Sequence, residues 1–110
     1  VHPLNNLSVL QYLRGELGQG DEAVTRWTRH WIDRGFAGLE QLIARNSADG
    51  RHCFGDSVTL ADVFLVPQVA NSRRVQLDLS PYPRLAAVAR HLESLPAFVA
   101  ARPEAQPDAE

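Results

Sequence analysis

Hydrophobic residues recur every three or four positions along most of this 110-residue chain, which is the spacing of α-helices. No segment alternates at the period of two expected for a strand. The first helical series ends at Gly18-Gln19-Gly20 and consists of Leu4, Leu7, Leu10, Leu13 and Leu17. This series predicts a first helix over residues 3 to 17.

A longer apolar stripe follows, from Val24 to about residue 45, and Asp21 precedes it as a candidate N-cap. The pattern predicts a long second helix. Gly35 and Gly38 lie inside this helix, where each glycine costs roughly 1 kcal/mol relative to alanine. We interpret them as positions where a neighbouring backbone passes closely.

Residues 46 to 58, NSADGRHCFGDSV, are rich in turn formers and predict a loop. Further periodic segments predict helices over about 60–73, 83–93 and 96–101. The tail RPEAQPDAE has two prolines and little to bury, so we expect it to be extended or mobile. The chain is thus predicted to be one all-α domain over residues 1–110, a bundle of about five helices.

Composition agrees with a folded globular domain, because 45% of residues are hydrophobic and 22% are charged. The formal net charge of −2 gives no basic surplus, so nucleic acid is not an expected partner. No apolar run is long enough to span a bilayer. Cys53 is the only cysteine, which excludes an intrachain disulfide and favours a cytoplasmic location; no metal ligand set is expected. A start at Val1 and the lack of methionine suggest a piece of a longer protein.

The segment VTLADVFLVPQVANSRR, residues 58–74, is almost wholly apolar but begins with an aspartate. Thr59 and Asp62 have the spacing of a capping box, in which the carboxylate of Asp62 accepts a hydrogen bond from the Thr59 amide. We therefore predict that Asp62 starts the third helix; a catalytic carboxylate is the alternative. From Leu60 to Ala70 the helix is apolar on nearly all sides, which predicts neighbours all round it.

A second face of this helix carries polar chemistry. Pro67, Asn71 and Arg74 lie at i, i+4 and i+7, so they share one face that ends in a cation. Pro67 removes one backbone donor and is expected to kink the helix. Arg74 is either a ligand-binding cation or a surface arginine that complements the helix dipole.

Several motifs resemble the zeta class of glutathione transferases, the maleylacetoacetate and maleylpyruvate isomerases. They are PLNNLSVLQYL at 3–13, GFAGLEQLI at 35–43, CFGDSVTLADVFLVPQVANSRR at 53–74, DLSPYP at 78–83 and QPDA at 106–109. The resemblance covers nearly the whole chain but only the C-terminal helical domain of that two-domain family. The thioredoxin-like N-terminal domain, with its serine and cysteine motif, has no counterpart here. Cys53 is interpreted as a packing residue.

The resemblance implies a dimeric enzyme of aromatic catabolism that uses glutathione. The thiolate adds to a cis double bond, the resulting single bond rotates, and elimination leaves the trans isomer. The substrate is a small dicarboxylate, so cations must position it. Arg74 matches the family arginine that holds a substrate carboxylate.

The resemblance also implies a glutathione border formed by His2, Asn6, Leu7 and Ser8. Without it, His2 is a frayed terminal residue and Asn6 a surface amide. His2 and Asn6 are four residues apart and would share a helix face. Ser8 resembles maleylacetoacetate isomerases, whereas the histidine of VHPLNNL resembles the maleylpyruvate enzymes, so the substrate stays open.

Two classes of function remain. The chain is either the substrate-side domain of an isomerase, inactive alone, or a non-catalytic helical interaction module. In the first case we expect an exposed apolar patch where the other domain docks.

Overall fold

A computed structural model describes residues 1–109 and contains five α-helices in an all-α arrangement. The helices are α1 (Leu7–Gly15), α2 (Asp21–Asn46), α3 (Leu60–Arg74), α4 (Pro83–Ser94) and α5 (Pro96–Ala100). Short 3-10 turns cover Pro3–Asn5 and Pro103–Ala105. Within residues 1–109 we find no strand, only an isolated bridge between Ser47 and Gly55. The predicted fold class is therefore confirmed.

The core lies where α2, α3 and α4 meet. Because α4 contacts both other helices, its apolar face is fully covered. The buried residues of this cluster are Ile32, Phe36, Ile43, Cys53, Leu65, Val69, Tyr82, Leu85, Val88, Ala89 and Leu92. Tyr82 fixes the start of α4 against α2, since its hydroxyl lies 3.2 Å from the Asp33 carbonyl.

The predicted first helix is wrong in one respect, because it is broken at Asn6. Asn6 has an extended backbone, with φ −63° and ψ 147°, and separates the first 3-10 turn from α1. Its side chain accepts a hydrogen bond from the Ser8 amide at 3.4 Å and so caps α1. The leucine spacing continued across this break and concealed it.

The interpretation of the two glycines in α2 also needs correction. A Cβ at Gly35 would come within 2.3 Å of a Val1 side-chain carbon, so a side chain and not a backbone lies close. A Cβ at Gly38 would meet nothing within 4 Å. Asp21 is the first residue of α2 and not its cap, which is Gly20.

The tail and α3 differ from expectation as well. The tail is not simply extended, because a 3-10 turn forms at Pro103–Ala105. Helix α3 is continuous through Pro67 but is not surrounded by neighbours: Leu60 and Phe64 are 74% and 70% exposed. The structure thus exposes apolar side chains of α3 that the sequence led us to expect in contact with neighbours, while the patch at which another domain docks remains a prediction.

Candidate functional site

The C-terminal end of α3 is built by a specific turn. Gln76 has a positive φ of 55°, and its amide bonds to the Arg73 carbonyl at 3.0 Å. The next amide, of Leu77, bonds back to the Ser72 carbonyl at 3.0 Å. This pair of bonds is a Schellman motif, which ends the helix and satisfies its last carbonyls. Arg74 is therefore fixed as a residue of the last turn.

A further contact holds this turn against α2. The Arg29 side chain donates a hydrogen bond to the carbonyl of Val75, the residue directly after Arg74. Ser72 is fully buried, and its hydroxyl donates to the Val69 carbonyl at 2.7 Å. The backbone that carries Arg74 is thus tied both to its own helix and to its neighbour.

Arg74 lines two cavities that meet at the end of α3. The larger, of about 790 Å³, lies between α3, α5 and the tail. The smaller, of about 220 Å³, lies between α3, α2 and the N-terminal turn. Asn71 also lines both cavities, and Pro67 lines the larger one. The predicted face of Pro67, Asn71 and Arg74 is therefore confirmed.

The larger cavity has both apolar and charged lining residues. The apolar ones include Val66, Ala70 and Phe98, and the charged ones include Arg102 and Glu104 in addition to the end of α3. The volume is in the range of small-molecule sites, which are mainly apolar with a few polar groups. This geometry suits a short carbon chain with a charged end.

The two neighbouring arginines of α3 have different environments. Arg73 forms a bidentate ion pair with Glu93 of α4, with Nη to Oε distances of 2.6 and 3.0 Å. Hydrogen bonding to Glu93 raises the pKa of Arg73 above its ordinary value. Within residues 1–109, Arg74 has no carboxylate within ion-pair distance. Arg73 thus stabilises the bundle, while the Arg74 charge remains available to a ligand.

Of the four residues predicted to border glutathione, His2 lines the smaller cavity together with Arg74. Asn6, Leu7 and Ser8 line neither cavity. They form the exposed first turn of α1, where Leu7 is 64% exposed. The expected common face of His2 and Asn6 is absent, because the helix that would align them is interrupted at Asn6.

Asp62 starts α3 as predicted and is fully buried. One carboxylate oxygen accepts from the Cys53 amide at 2.8 Å, and the other accepts from the Thr59 amide at 2.8 Å and the Thr59 hydroxyl at 3.2 Å. Burial alone would raise the pKa of Asp62, but these hydrogen bonds outweigh it and lower the pKa below its ordinary value. Asp62 lines none of the cavities described above, so its role here is structural.

Cys53 is the packing residue that the sequence indicated. Its side chain is fully buried, and burial, with the neighbouring Asp62 carboxylate, raises the pKa of its thiol to about 12. Such a thiol is not ionised near neutral pH and is a poor nucleophile.

Sequence reasoning missed the residues that complete both cavities. Asn5, Thr28 and Gln68 line the smaller one, and Phe98 and Arg102 the larger one. Gln68 carried a usable signal, because it is a lone amide in an apolar stretch, three residues before Asn71. The tail residues carried none, since their position depends on how the chain folds back.

Comparison with known proteins gives the family. The profile described as "Glutathione S-transferase, C-terminal domain" matches residues 11–91. This chain therefore belongs to the glutathione S-transferase C-terminal domain family. Within that family, its similarity is to proteins of the zeta class.

Three relatives illustrate this. A probable maleylacetoacetate isomerase of Vibrio cholerae is 54% identical over 109 residues, which are 99% of this chain and 50% of that protein. The holo structure of maleyl pyruvate isomerase, a bacterial glutathione S-transferase of the zeta class, superposes with a TM-score of 0.95 and 46% sequence identity. The match covers 100% of this chain and 52% of that chain. The structure of maleylacetoacetate isomerase from Anaeromyxobacter dehalogenans, solved with dicarboxyethyl glutathione and citrate in its active site, gives a TM-score of 0.88 and 42% identity. The match covers 98% of this chain and 48% of that chain. The chain thus spans about half the length of these relatives.

Within residues 1–109, no α-helix combines the length and the hydrophobicity of a membrane-spanning segment. Residues 1–109 also bring together no group of three or more side chains able to hold a metal ion.

Proposed function

We propose that this chain is the substrate-side helical domain of a glutathione-dependent cis–trans isomerase that acts on maleylacetoacetate or maleylpyruvate in aromatic catabolism. The observation that carries the proposal is the position of Arg74. It lies at the junction of two cavities, on a fixed helix end, without a carboxylate partner in the described part of the chain. The similarity to isomerases over nearly the whole chain supports the same reaction.

Arg74 would hold one carboxylate of the substrate. A guanidinium offers two parallel donors to a carboxylate, so it fixes orientation as well as charge. Glutathione, when bound, supplies the thiolate that adds reversibly to the cis double bond. Negative charge then develops on the conjugated carbonyl of the substrate, and the Arg74 cation and the Asn71 amide line the cavity and could stabilise that charge.

The first turn of α1 would border glutathione. His2 lines the smaller cavity, and Asn6, Leu7 and Ser8, which follow it in the chain, are exposed, so their surface is open to a bound molecule. A helix start also favours a negative group, and glutathione carries carboxylates. These residues therefore fit glutathione, while the thiol-activating serine and cysteine motif would come from another domain.

The exposed face of α3 would be covered by that domain. Leu60, Val63 and Phe64 are between 47% and 74% exposed, an apolar surface that a folded protein rarely leaves uncovered. We further propose that the protein is a homodimer, as the resemblance implies, and that it is cytoplasmic, a location that its single cysteine favours.

The test compares Arg74→Lys and Arg74→Gln in a longer protein that also carries the thiol-activating domain. Loss of a charge-assisted contact of about 1.5–3 kcal/mol corresponds to a ten- to hundredfold lower kcat/KM. Lysine cannot copy the bidentate geometry, so both variants should lose activity while their melting temperatures stay near that of the wild type.

Arg45→Gln is the matched control, because Arg45 is exposed and lines none of the cavities. Full activity of Arg74→Lys would contradict the proposal and assign Arg74 to the helix dipole alone. The 110-residue chain without a thiol-activating domain should show no turnover of maleylacetoacetate with glutathione.

A further inference from the structure

The C-terminal tail folds back to form a wall of the larger cavity. The Gln106 side-chain amide donates to the carbonyls of Ala100 and Arg102, at 3.0 and 3.1 Å. These two bonds close the chain around the 3-10 turn at Pro103–Ala105 and set the position of Arg102. The glutamine of the QPDA motif therefore has a structural reason: it holds the tail beside the cavity.

Arg102 presents a second cation to this cavity. One of its Nη atoms donates to the backbone carbonyl of Glu93 at 3.1 Å, which anchors the side chain at the end of α4. A guanidinium has five N–H donors, so most of them remain for a ligand. In the part of the chain that the structure describes, Arg102 forms no ion pair.

The carboxylates near Arg102 do not neutralise it. Glu93 is already bound by Arg73 through both oxygens. Glu104 lines the same cavity but lies beyond ion-pair distance of any arginine in residues 1–109. The lining of this cavity thus includes Arg74 from α3 and Arg102 from the tail, together with apolar residues such as Ala70 and Phe98.

We propose that Arg102 binds the second carboxylate of the substrate, so that the tail selects dicarboxylates over monocarboxylates. This inference rests on the proposed role of Arg74. Two cations from different segments of the chain, lining one cavity that also has apolar residues, complement a short carbon chain with a carboxylate at each end. Gln106 is a positioning residue that holds Arg102 in place.

The experiment uses the 110-residue chain, because every residue in the inference belongs to it. Linear dicarboxylates from malonate to suberate, and monocarboxylates of equal length, are titrated into ¹⁵N-labelled protein while the arginine Nε–H signals are followed. Arg102→Gln should raise the Kd of the tightest-binding dicarboxylate about tenfold and change the Kd of the monocarboxylate of equal length by no more than about twofold. Gln106→Ala should also weaken the binding of the dicarboxylate, but by a smaller factor, because Arg102 is still present.

Two further variants make the result specific. Glu104→Gln removes a negative charge from the same wall and should strengthen the binding of dicarboxylates. Arg45→Gln makes the same charge change as Arg102→Gln at a distant exposed site and should have no effect. If Arg102→Gln loosens the tail, Arg102→Lys serves as a second test. It keeps the positive charge and should therefore retain part of the preference for dicarboxylates over monocarboxylates.

Each outcome bears on one claim. Equal losses for dicarboxylates and monocarboxylates in Arg102→Gln would show that Arg102 only anchors the tail, and would overturn the inference. Absence of saturable dicarboxylate binding by the unmodified chain would overturn it too. The proposed function fails separately, if Arg74→Gln binds both kinds of ligand as well as wild type.

Discussion

Asp62→Ala tests the physical basis of the fold most directly. The substitution removes both oxygens that accept from the buried amide of Cys53 and the amide of Thr59. A buried donor left without a partner costs about 1–3 kcal/mol, and loss of a helix cap about 0.5–2 kcal/mol. We therefore expect the free energy of unfolding to fall by about 1.5–5 kcal/mol, a large part of the 5–15 kcal/mol typical of a domain.

The assay is urea denaturation monitored by the circular dichroism signal of the helices. The urea midpoints of the variants are compared, provided that the m-value, the dependence of the unfolding free energy on urea, is unchanged. Asp62→Asn should lose less stability than Asp62→Ala, because the asparagine side-chain oxygen can still accept a hydrogen bond from one of the two backbone amides. Asp56→Asn is the control, since Asp56 is an exposed carboxylate of the same loop. An unchanged midpoint in Asp62→Ala would refute the reasoning.

The pH dependence follows from the lowered pKa of Asp62. Because the folded-state pKa lies below the unfolded value of about 3.9, the folded state favours the ionised carboxylate. This contribution is fully present above about pH 4 and is lost as the pH falls through the folded-state pKa. The difference in stability between wild type and Asp62→Asn should therefore narrow on acidification below pH 4 or so; a constant difference would contradict the assignment.

Three other predictions follow from the packing. Gly38→Ala should raise stability by about 0.5–1 kcal/mol in urea melts, whereas Gly35→Ala should gain less or lose stability because its Cβ meets Val1; equal gains would contradict the contact. Cys53 should react with a thiol reagent at the rate of unfolding near neutral pH, because burial raises its pKa to about 12; fast labelling without urea would exclude this. Phe64→Ser should reduce hydrophobic-dye binding and self-association in sedimentation experiments, since Phe64 is 70% exposed, and unchanged dye binding would show that the apolar patch lies elsewhere.

The sequence predicted best what is decided locally. The helical periods of α2, α3 and α4 and the capping box at Thr59 and Asp62 depend on residues close together in the chain, and the structure has all of them. The break at Asn6 was also local, since asparagine is one of the residues preferred at the N-cap of a helix. It was missed because the leucine spacing gave a stronger and misleading indication.

What depends on distant residues could not be predicted. Arg73 and Arg74 are adjacent and chemically identical, and only Glu93, 20 residues away, separates their roles. The sequence likewise does not show whether an apolar helix face packs against its own chain or against another domain. Phe64 was therefore expected to be buried, although it is exposed in this chain. The resemblance supplied Arg74, but the wall that contains Arg102 became visible only with the folded tail.

Helix α3 has a separate task at each end. Its N-terminus carries the buried anion Asp62, which determines stability, and its last turn carries Arg74, which is placed to bind a ligand. The two residues are 12 positions apart in the helix, which corresponds to about 18 Å at 1.5 Å per residue. That separation exceeds the screening length of about 8 Å at physiological salt, so the two charges should hardly affect each other. The stability effects of Asp62→Asn and Arg74→Gln should therefore add to within about 0.5 kcal/mol in the double variant. A larger coupling energy would mean that the cap at one end of α3 also controls the geometry of the site at the other.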